Sequence, residues 1–440
     1  MVLATYKWQD LDRVMQRDVL ERPAVQASNS VFTETRRIID KVKRHRDRAI
    51  RELSERFDGI TLDTFEVSAD EFDAAARKIS KPASDAIDLA IQNVGRFHEA
   101  QTPPAIDIET MPGVRCQRIS QPIDSVGMYV PAGSAPLPST AIMLAVPARI
   151  AACPERILCT PPRKDGSADP GVLVAAKRGG ANRVFKIGGA QAIAAMAYGT
   201  DEVPKVNKVF GPGNAWVTAA KTIVAGDPAG AAIDLPAGPS EVMVIADRAA
   251  DAEFVAADLL AQAEHGEDSQ SILLSTCKEL ISSVERQLTD QSRHLGRRNI
   301  VRKAMQNSRA ILVDDIDEAV RICNDYAPEH LILQVTDPRR VLQHIRNTGS
   351  VFLGPWTPES VGDYCSGTNH VLPTYGTARA YSGLGLDQFL RHMTVQELTR
   401  DGLAGLSDAV INLARLEGLD AHANAVVQRL TEIEQEAQAS

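Results

Sequence analysis

Glu329 and His330 are neighbours in the stretch Ala327-Pro328-Glu329-His330, directly before the apolar run Leu331-Ile332-Leu333. That run has the length and make-up of a buried strand. Two titratable groups at the mouth of such a strand are costly, because burial disfavours the charged form of each. General acid–base chemistry is commonly carried at positions of this kind. The plain alternative is a solvated surface pair.

A second group of residues suits a cation. Gln262 and His265 are three apart near the end of an amphipathic pattern that begins near Ala252, so they share a helix face. Asp363 falls in a loop expected over 360–364, and His422 on a tail helix after Glu417. Two imidazoles, a carboxylate and an amide carbonyl form an N/O set suited to Zn²⁺ or a similar ion. No H-E-x-x-H spacing joins them. A single histidine is more often a satisfied structural one, and that reading stays open.

Two apolar runs end in glycine turns that open helices, Ile187-Gly188-Gly189-Ala190-Gln191 and Phe210-Gly211-Pro212-Gly213-Asn214. Glycine lets the backbone approach an anion closely, and a helix N-terminus offers free N–H groups. A third turn, Pro131-Ala132-Gly133-Ser134-Ala135-Pro136, follows Tyr129, whose ring could stack on a base. None of these is G-x-G-x-x-G. A nucleotide site and a set of ordinary tight turns are both open.

The elements that must position these residues fall into two series. Residues 1 to about 115 look helical, with patterns over 9–20, 31–57, 69–79 and 83–101, the last stopped by Pro103-Pro104. Short apolar runs then alternate with Ala-rich helical segments at 126–130, 156–159, 184–187 and 206–210. A second series follows at 242–245, 272–274, 311–313, 331–333 and 351–353. Such alternation predicts βαβ units and two α/β modules with mostly parallel sheets, without a strict repeat between them. From about 386 the tail looks helical, with Leu403, Leu406, Val410 and Leu413 on one face.

A chain of 440 residues suggests roughly two to four domains. Its 44% apolar and 24% charged residues are ordinary for a globular protein, and only 435–440 look disordered. The net charge of −9 argues against a nucleic-acid partner. The basic run Lys41 to Arg46 lies on a helix pattern and is best taken as a solvated face. Neither a signal-peptide core nor a run of ~18 apolar residues is present, so a cytoplasmic protein without a membrane span is expected. The six cysteines form no C-x-x-C pair and are expected to be buried free thiols.

In order along the chain, several longer segments resemble histidinol dehydrogenases. They include 126–136, 188–191, 211–214, Asp234-Leu235-Pro236-Ala237-Gly238-Pro239-Ser240-Glu241, Ala261-Gln262-Ala263-Glu264-His265-Gly266, 327–331, Ser366-Gly367-Thr368-Asn369-His370-Val371-Leu372-Pro373 and Glu417-Gly418-Leu419-Asp420-Ala421-His422. The likeness runs from about residue 30 to 430. It implies an incomplete Rossmann-like nucleotide fold within two Rossmann-like α/β modules, a helical N-terminal segment and a small helical C-terminal tail domain. The expected division is an arm over 1–30, a first module over 31–125 and 238–385, an NAD-binding module over 126–237, and a dimerisation tail over 386–440.

The resemblance further implies a zinc-dependent enzyme that oxidises L-histidinol to L-histidine through an aldehyde with two NAD⁺, the last step of histidine biosynthesis. It implies a homodimer with exchanged tails. By position, Gln262, His265, Asp363 and His422 look like the zinc ligands, and Glu329 and His330 like the acid–base pair. The substrate contacts it implies are Ser240, Gln262, His265, His330, Asp363, His370, Glu417 and His422. The NAD contacts are Tyr129, Gln191 and Asn214. Ala132 stands where many relatives carry Gly, so the loop there is expected to need a negative φ.

Rival readings are a same-fold relative acting on another alcohol such as a sulfonated diol, a zinc hydrolase in which Glu329 activates bound water, and a non-catalytic amino-acid binding module. Cys153 or Cys365 as a thiohemiacetal nucleophile is disfavoured, since neither has a neighbouring His or Lys to lower its pKa.

Overall fold

A computed structural model describes residues 3–23, 29–132, 135–235 and 238–439. Gly133, Ser134, Pro236 and Ala237 of the turns and motifs quoted above lie outside the described residues, as do parts of the expected arm and the final residue of the tail. The chain divides into two units, one of 1–101 and 123–389, the other of 102–122 and 390–440.

The first unit carries two parallel sheets. One joins Arg183–Lys186, Glu155–Thr160, Ser125–Tyr129, Lys208–Phe210 and Ala232–Ile233 in that order. Numbered along this module, the order is 3-2-1-4-5, one strand short of the six-stranded dinucleotide-binding order. The other sheet runs Ala4–Lys7, Arg309–Leu312, Gln270–Ser275, Glu241–Ala246, His330–Gln334 and Ser350–Leu353. Apart from its N-terminal edge strand, it repeats the same 3-2-1-4-5 order. Two α/β modules are therefore present, as expected.

The strands read as unbroken apolar runs because helices cover both faces. Along 241–246, Val242 and Val244 join the core on one face, and Met243 and Ile245 that on the other.

Several expectations need correction. Ala4–Lys7 is an edge strand, where a helical arm was expected. Helices Asn29–Asp58, Ala69–Lys78 and Lys81–Glu99 pack on the helices of the 125–233 sheet, not on the module to which they were assigned. The first of these is interrupted at Arg46, where φ is 45°. The basic run forms ion pairs, Lys41 with Glu52 and Lys43 with Asp227, as a solvated face does.

The second unit is not wholly helical. Leu390–Leu398, Val114–Pro122 and Ile106–Met111 form an antiparallel sheet. Helices Arg400–Leu416 and Asp420–Ala439 pack on each other. No helix among the described residues is long and apolar enough to cross a membrane.

Candidate active site

His330 is the first residue of its strand and Glu241 the first of the neighbouring one. Connections leave these two strands in opposite directions, which makes a switch point in the sheet. The pair lies at the amino ends of the strands. The helix Ala252–Ala263 follows strand 241–246 and leads into 270–275, so its C-terminal end returns to that same edge. Asp251 caps its start by accepting the N–H of Glu253 at 2.8 Å. Gln262 sits in its last turn and His265 just beyond.

The turn before Glu329 is tightly set. Helix Ile316–Tyr326 ends on Ala327 at φ 56°, the left-handed region, which costs a residue with a Cβ about 1–2 kcal/mol. Pro328 then prevents any helical continuation. Glu329 and His330 are both buried. Glu329 Oε2 accepts the N–H of Glu241 at 2.9 Å, and His330 Nδ1 lies 3.3 Å from the Glu241 carbonyl. A proton on Nδ1 directed to that carbonyl leaves Nε2 free to act as a base. Burial lowers the His330 pKa to about 4, so its ring is neutral at pH 7. Burial pushes the Glu329 carboxyl well above its ordinary range; the Glu241 N–H opposes this, while the Glu241, Glu359 and Asp363 carboxylates add to it.

Asp363 stands on the short helix Glu359–Tyr364, where a loop was expected; six residues are too few for periodicity to show. Its carboxylate is 3.5 Å from His265 Nε2 and 4.0 Å from His330 Nε2. Burial alone would raise its pKa, but the His265, His370 and His330 rings outweigh that and hold it at about 2. His265, Glu359 and Asp363 can each bring a ligand atom within 4.8 Å of the others. Gln262 is fully buried, with neither its amide oxygen nor its nitrogen partnered. Buried polar atoms are rarely left so. A cation bound by the Gln262 carbonyl together with His265 and Asp363 would give that oxygen its partner, so the donor set fits Zn²⁺.

Sequence reasoning passed over Glu359. It is buried, neither carboxylate oxygen has a hydrogen bond, and Oε1 is 3.7 Å from His330 Nδ1 and 3.9 Å from His265 Nε2. An isolated acid in a short helix carries no motif of its own.

His265, Glu329, His330 and Asp363 open on a cavity of about 1370 Å³ that is also lined by Ser240 and His370 and, from the other module, by Tyr129, Gln191 and Asn214. Here the carboxyl ends of the strands face it, the usual edge for a nucleotide. Gly188 caps helix Gly189–Tyr198, and Asn214 caps Ala215–Ala225 by accepting the N–H groups of Trp216 and Val217. Gly211 has φ 114°, and a Cβ there would sit 2.2 Å from the Tyr129 carbonyl. Two helix N-termini with glycine approaches on one wall fit a pyrophosphate. Tyr129 is only 3% exposed, and its hydroxyl accepts the Gly189 N–H at 3.0 Å. It props the glycine turn and has little ring face left for the expected stacking. Ala132 is not among the residues of positive φ.

Glu417 and His422 belong to the second unit, where both are exposed, Glu417 as the C-cap of helix 400–416. Cys153 is fully buried, and burial moves its pKa up to about 11. The expectation of burial fails for Cys116 and Cys365, which are partly exposed; all six thiols are free.

The profile of the histidinol dehydrogenases matches residues 20–430. This chain belongs to the histidinol dehydrogenase family. It is 54% identical over 423 residues to the histidinol dehydrogenase of Xanthomonas oryzae pv. oryzae, covering 96% of this chain and 98% of that one. It is 50% identical to that of Vibrio cholerae, covering 98% and 99%. The crystal structure of histidinol dehydrogenase from Elizabethkingia anophelis superposes with a TM-score of 0.93 at 42% identity, covering 98% and 99% of the two chains. As a histidinol dehydrogenase the chain is an oxidoreductase, which removes the hydrolase and the binding module as rivals.

Proposed function

We propose that the chain carries out the four-electron oxidation of L-histidinol to L-histidine through L-histidinaldehyde, with one Zn²⁺ per subunit and two NAD⁺, closing histidine biosynthesis in the cytoplasm. The observation that carries this reading is the buried His330 beside Glu329 and Asp363 on a cavity that is also lined by two helix N-termini of the other module.

Gln262, His265, Asp363 and His422 would hold Zn²⁺, which would supply a template for the imidazole and amine of the substrate. Tyr129, Gln191 and Asn214 would hold NAD⁺, which would supply the hydride acceptor. Ser240, His370 and Glu417 orient the substrate. His330 Nε2 takes the hydroxyl proton as hydride leaves the carbinol carbon, giving the aldehyde. Glu329, in its ionised form, takes a proton from the water that attacks the carbonyl. A carboxyl whose ionised form is disfavoured is a stronger base once ionised. His330, having passed its first proton to solvent, then takes the proton released in oxidising the hydrate. Cys153 has no part in this, because its sulfur is buried and its thiolate disfavoured.

The tail completes the reading. Val410, Leu413 and Leu416 are exposed on helix 400–416. We assign this stripe to a homodimer in which tails are exchanged, so that Glu417 and His422 serve the partner's site.

The test is stoichiometry. Two NADH should form per L-histidinol consumed, with histidine as product, and no turnover should remain after chelation until Zn²⁺ is restored. One NADH per substrate, or full activity in verified metal-free protein, refutes the corresponding part. A sulfonated diol oxidised faster than histidinol would favour the alternative alcohol.

A further inference from the structure

Arg22 lies far from Glu329 in sequence and does not line the cavity, yet it grips both backbone segments that present the catalytic pair. Its Nε donates to Glu241 Oε2 at 2.6 Å and its Nη2 to Glu241 Oε1 at 2.9 Å, a two-pronged ion pair. The same Nη2 donates to the Tyr326 carbonyl at 2.7 Å and approaches the Ala327 carbonyl at 3.4 Å. The guanidinium lies over the Tyr326 ring, 3.7 Å from its centroid. The Tyr326 hydroxyl faces Glu241 Oε2 at 3.1 Å and Gln270 Oε1 at 2.6 Å.

Both ends of this clamp meet the catalytic pair. Glu241 presents its own N–H to Glu329 and its carbonyl to His330 Nδ1. Tyr326 and Ala327 lead through Pro328 into Glu329, and Ala327 is held at a φ that most residues avoid. A bidentate pair fixes orientation as well as distance. The Arg22 segment is itself anchored. Gln270 Nε2 donates to the Glu21 carbonyl at 3.1 Å, and the Tyr375 hydroxyl to the Pro23 carbonyl at 2.7 Å.

We infer that Arg22 is a positioning residue for the catalytic pair, its guanidinium joining the Glu241 strand end to the Tyr326–Ala327 turn so that Glu329 and His330 keep their mutual placement. The inference rests on the acid–base roles proposed above. It needs no contact between Arg22 and substrate. Misplacing a proton acceptor slows chemistry while leaving ground-state binding largely intact.

The experiment uses the full-length enzyme. Arg22→Ala leaves the buried Glu241 carboxylate without its counter-charge and risks misfolding, so Arg22→Lys, which keeps the charge and loses the fork, carries the test. The expected result is a kcat lower by at least about tenfold, KM for histidinol and for NAD⁺ within about threefold, and unchanged zinc content. In a His330→Asn background, Arg22→Lys should cost little more, because residues acting as one unit are not additive. A purely structural role would lower thermal stability without changing kcat of the folded enzyme. A folded Arg22→Lys variant with kcat within twofold of the parent, or a full additional loss in the His330→Asn background, overturns the inference and leaves the acid–base reading intact. A His330→Asn enzyme with normal turnover removes that reading and this inference together.

Discussion

The peptide N–H of Glu241 is 2.9 Å from Glu329 Oε2, and the Glu241 carbonyl is 3.3 Å from His330 Nδ1. One peptide unit on each side of a single Cα thus addresses both Glu329 and His330. The neighbouring strand differentiates the two residues, stabilising the ionised carboxylate and fixing the imidazole tautomer.

That division leads to different failures on substitution. Glu329→Gln keeps shape but cannot accept a proton, so oxidation supplied with L-histidinaldehyde should slow by about 10²–10⁴-fold while the alcohol step is affected less. His330→Asn should slow both steps. Single-turnover NADH formation from each substrate measures this, and equal losses in both steps for both variants would refute it.

Cys153→Ala should retain activity within about tenfold, a barrier change of about 1.4 kcal/mol. The sulfur is buried and contacts the Phe389 carbonyl at 3.5 Å, so the change is one of packing. Loss of three decades in a folded variant would restore a covalent aldehyde route.

Asp58 lines the same cavity, and burial raises its pKa to about 6. A carboxyl with a raised folded pKa favours the folded state below its ordinary range, and that contribution is lost as pH rises through about 6. Asp58→Asn should therefore gain in Tm relative to the parent between pH 5 and 8. The difference between the two should widen from about pH 4 to about pH 6 and level off above that; a constant difference from pH 4 upward would contradict the burial argument.

Exchange of tails is testable by complementation. In a mixed dimer, one chain carries His422→Ala and the other His330→Asn. With exchange, one site combines an intact body with an intact tail and recovers near-normal activity per site. A verified mixed dimer that stays inactive excludes exchange.

Parts of this architecture were legible because their cause is local. The strands at 241–246 and 330–334 are covered on both faces, so their sequences are continuous apolar runs. The Glu329-His330 pair is adjacent in the chain, and Gln262 and His265 are only three apart, although His265 lies just past the end of the helix that carries Gln262. What escaped depends on remote partners. Ile106–Met111 is exposed along its whole length and Leu390–Leu398 nearly so, and their polar residues resemble helical surface. Ala4–Lys7 is a largely exposed edge strand. Arg22 carries no motif, and its role appears only when Glu241 and Ala327 are brought beside it.

The antiparallel sheet of the second unit has a consequence for the timing of synthesis. Ser120 and His392, which meet across two of its strands, are separated by 272 positions in the chain. The ribosome must deliver both modules of the first unit before the last strand of this sheet exists. Until then, the hairpin of 106–122 emerges with an open edge. Its assembly belongs to the end of translation, when the whole intervening body can already have reached its native form.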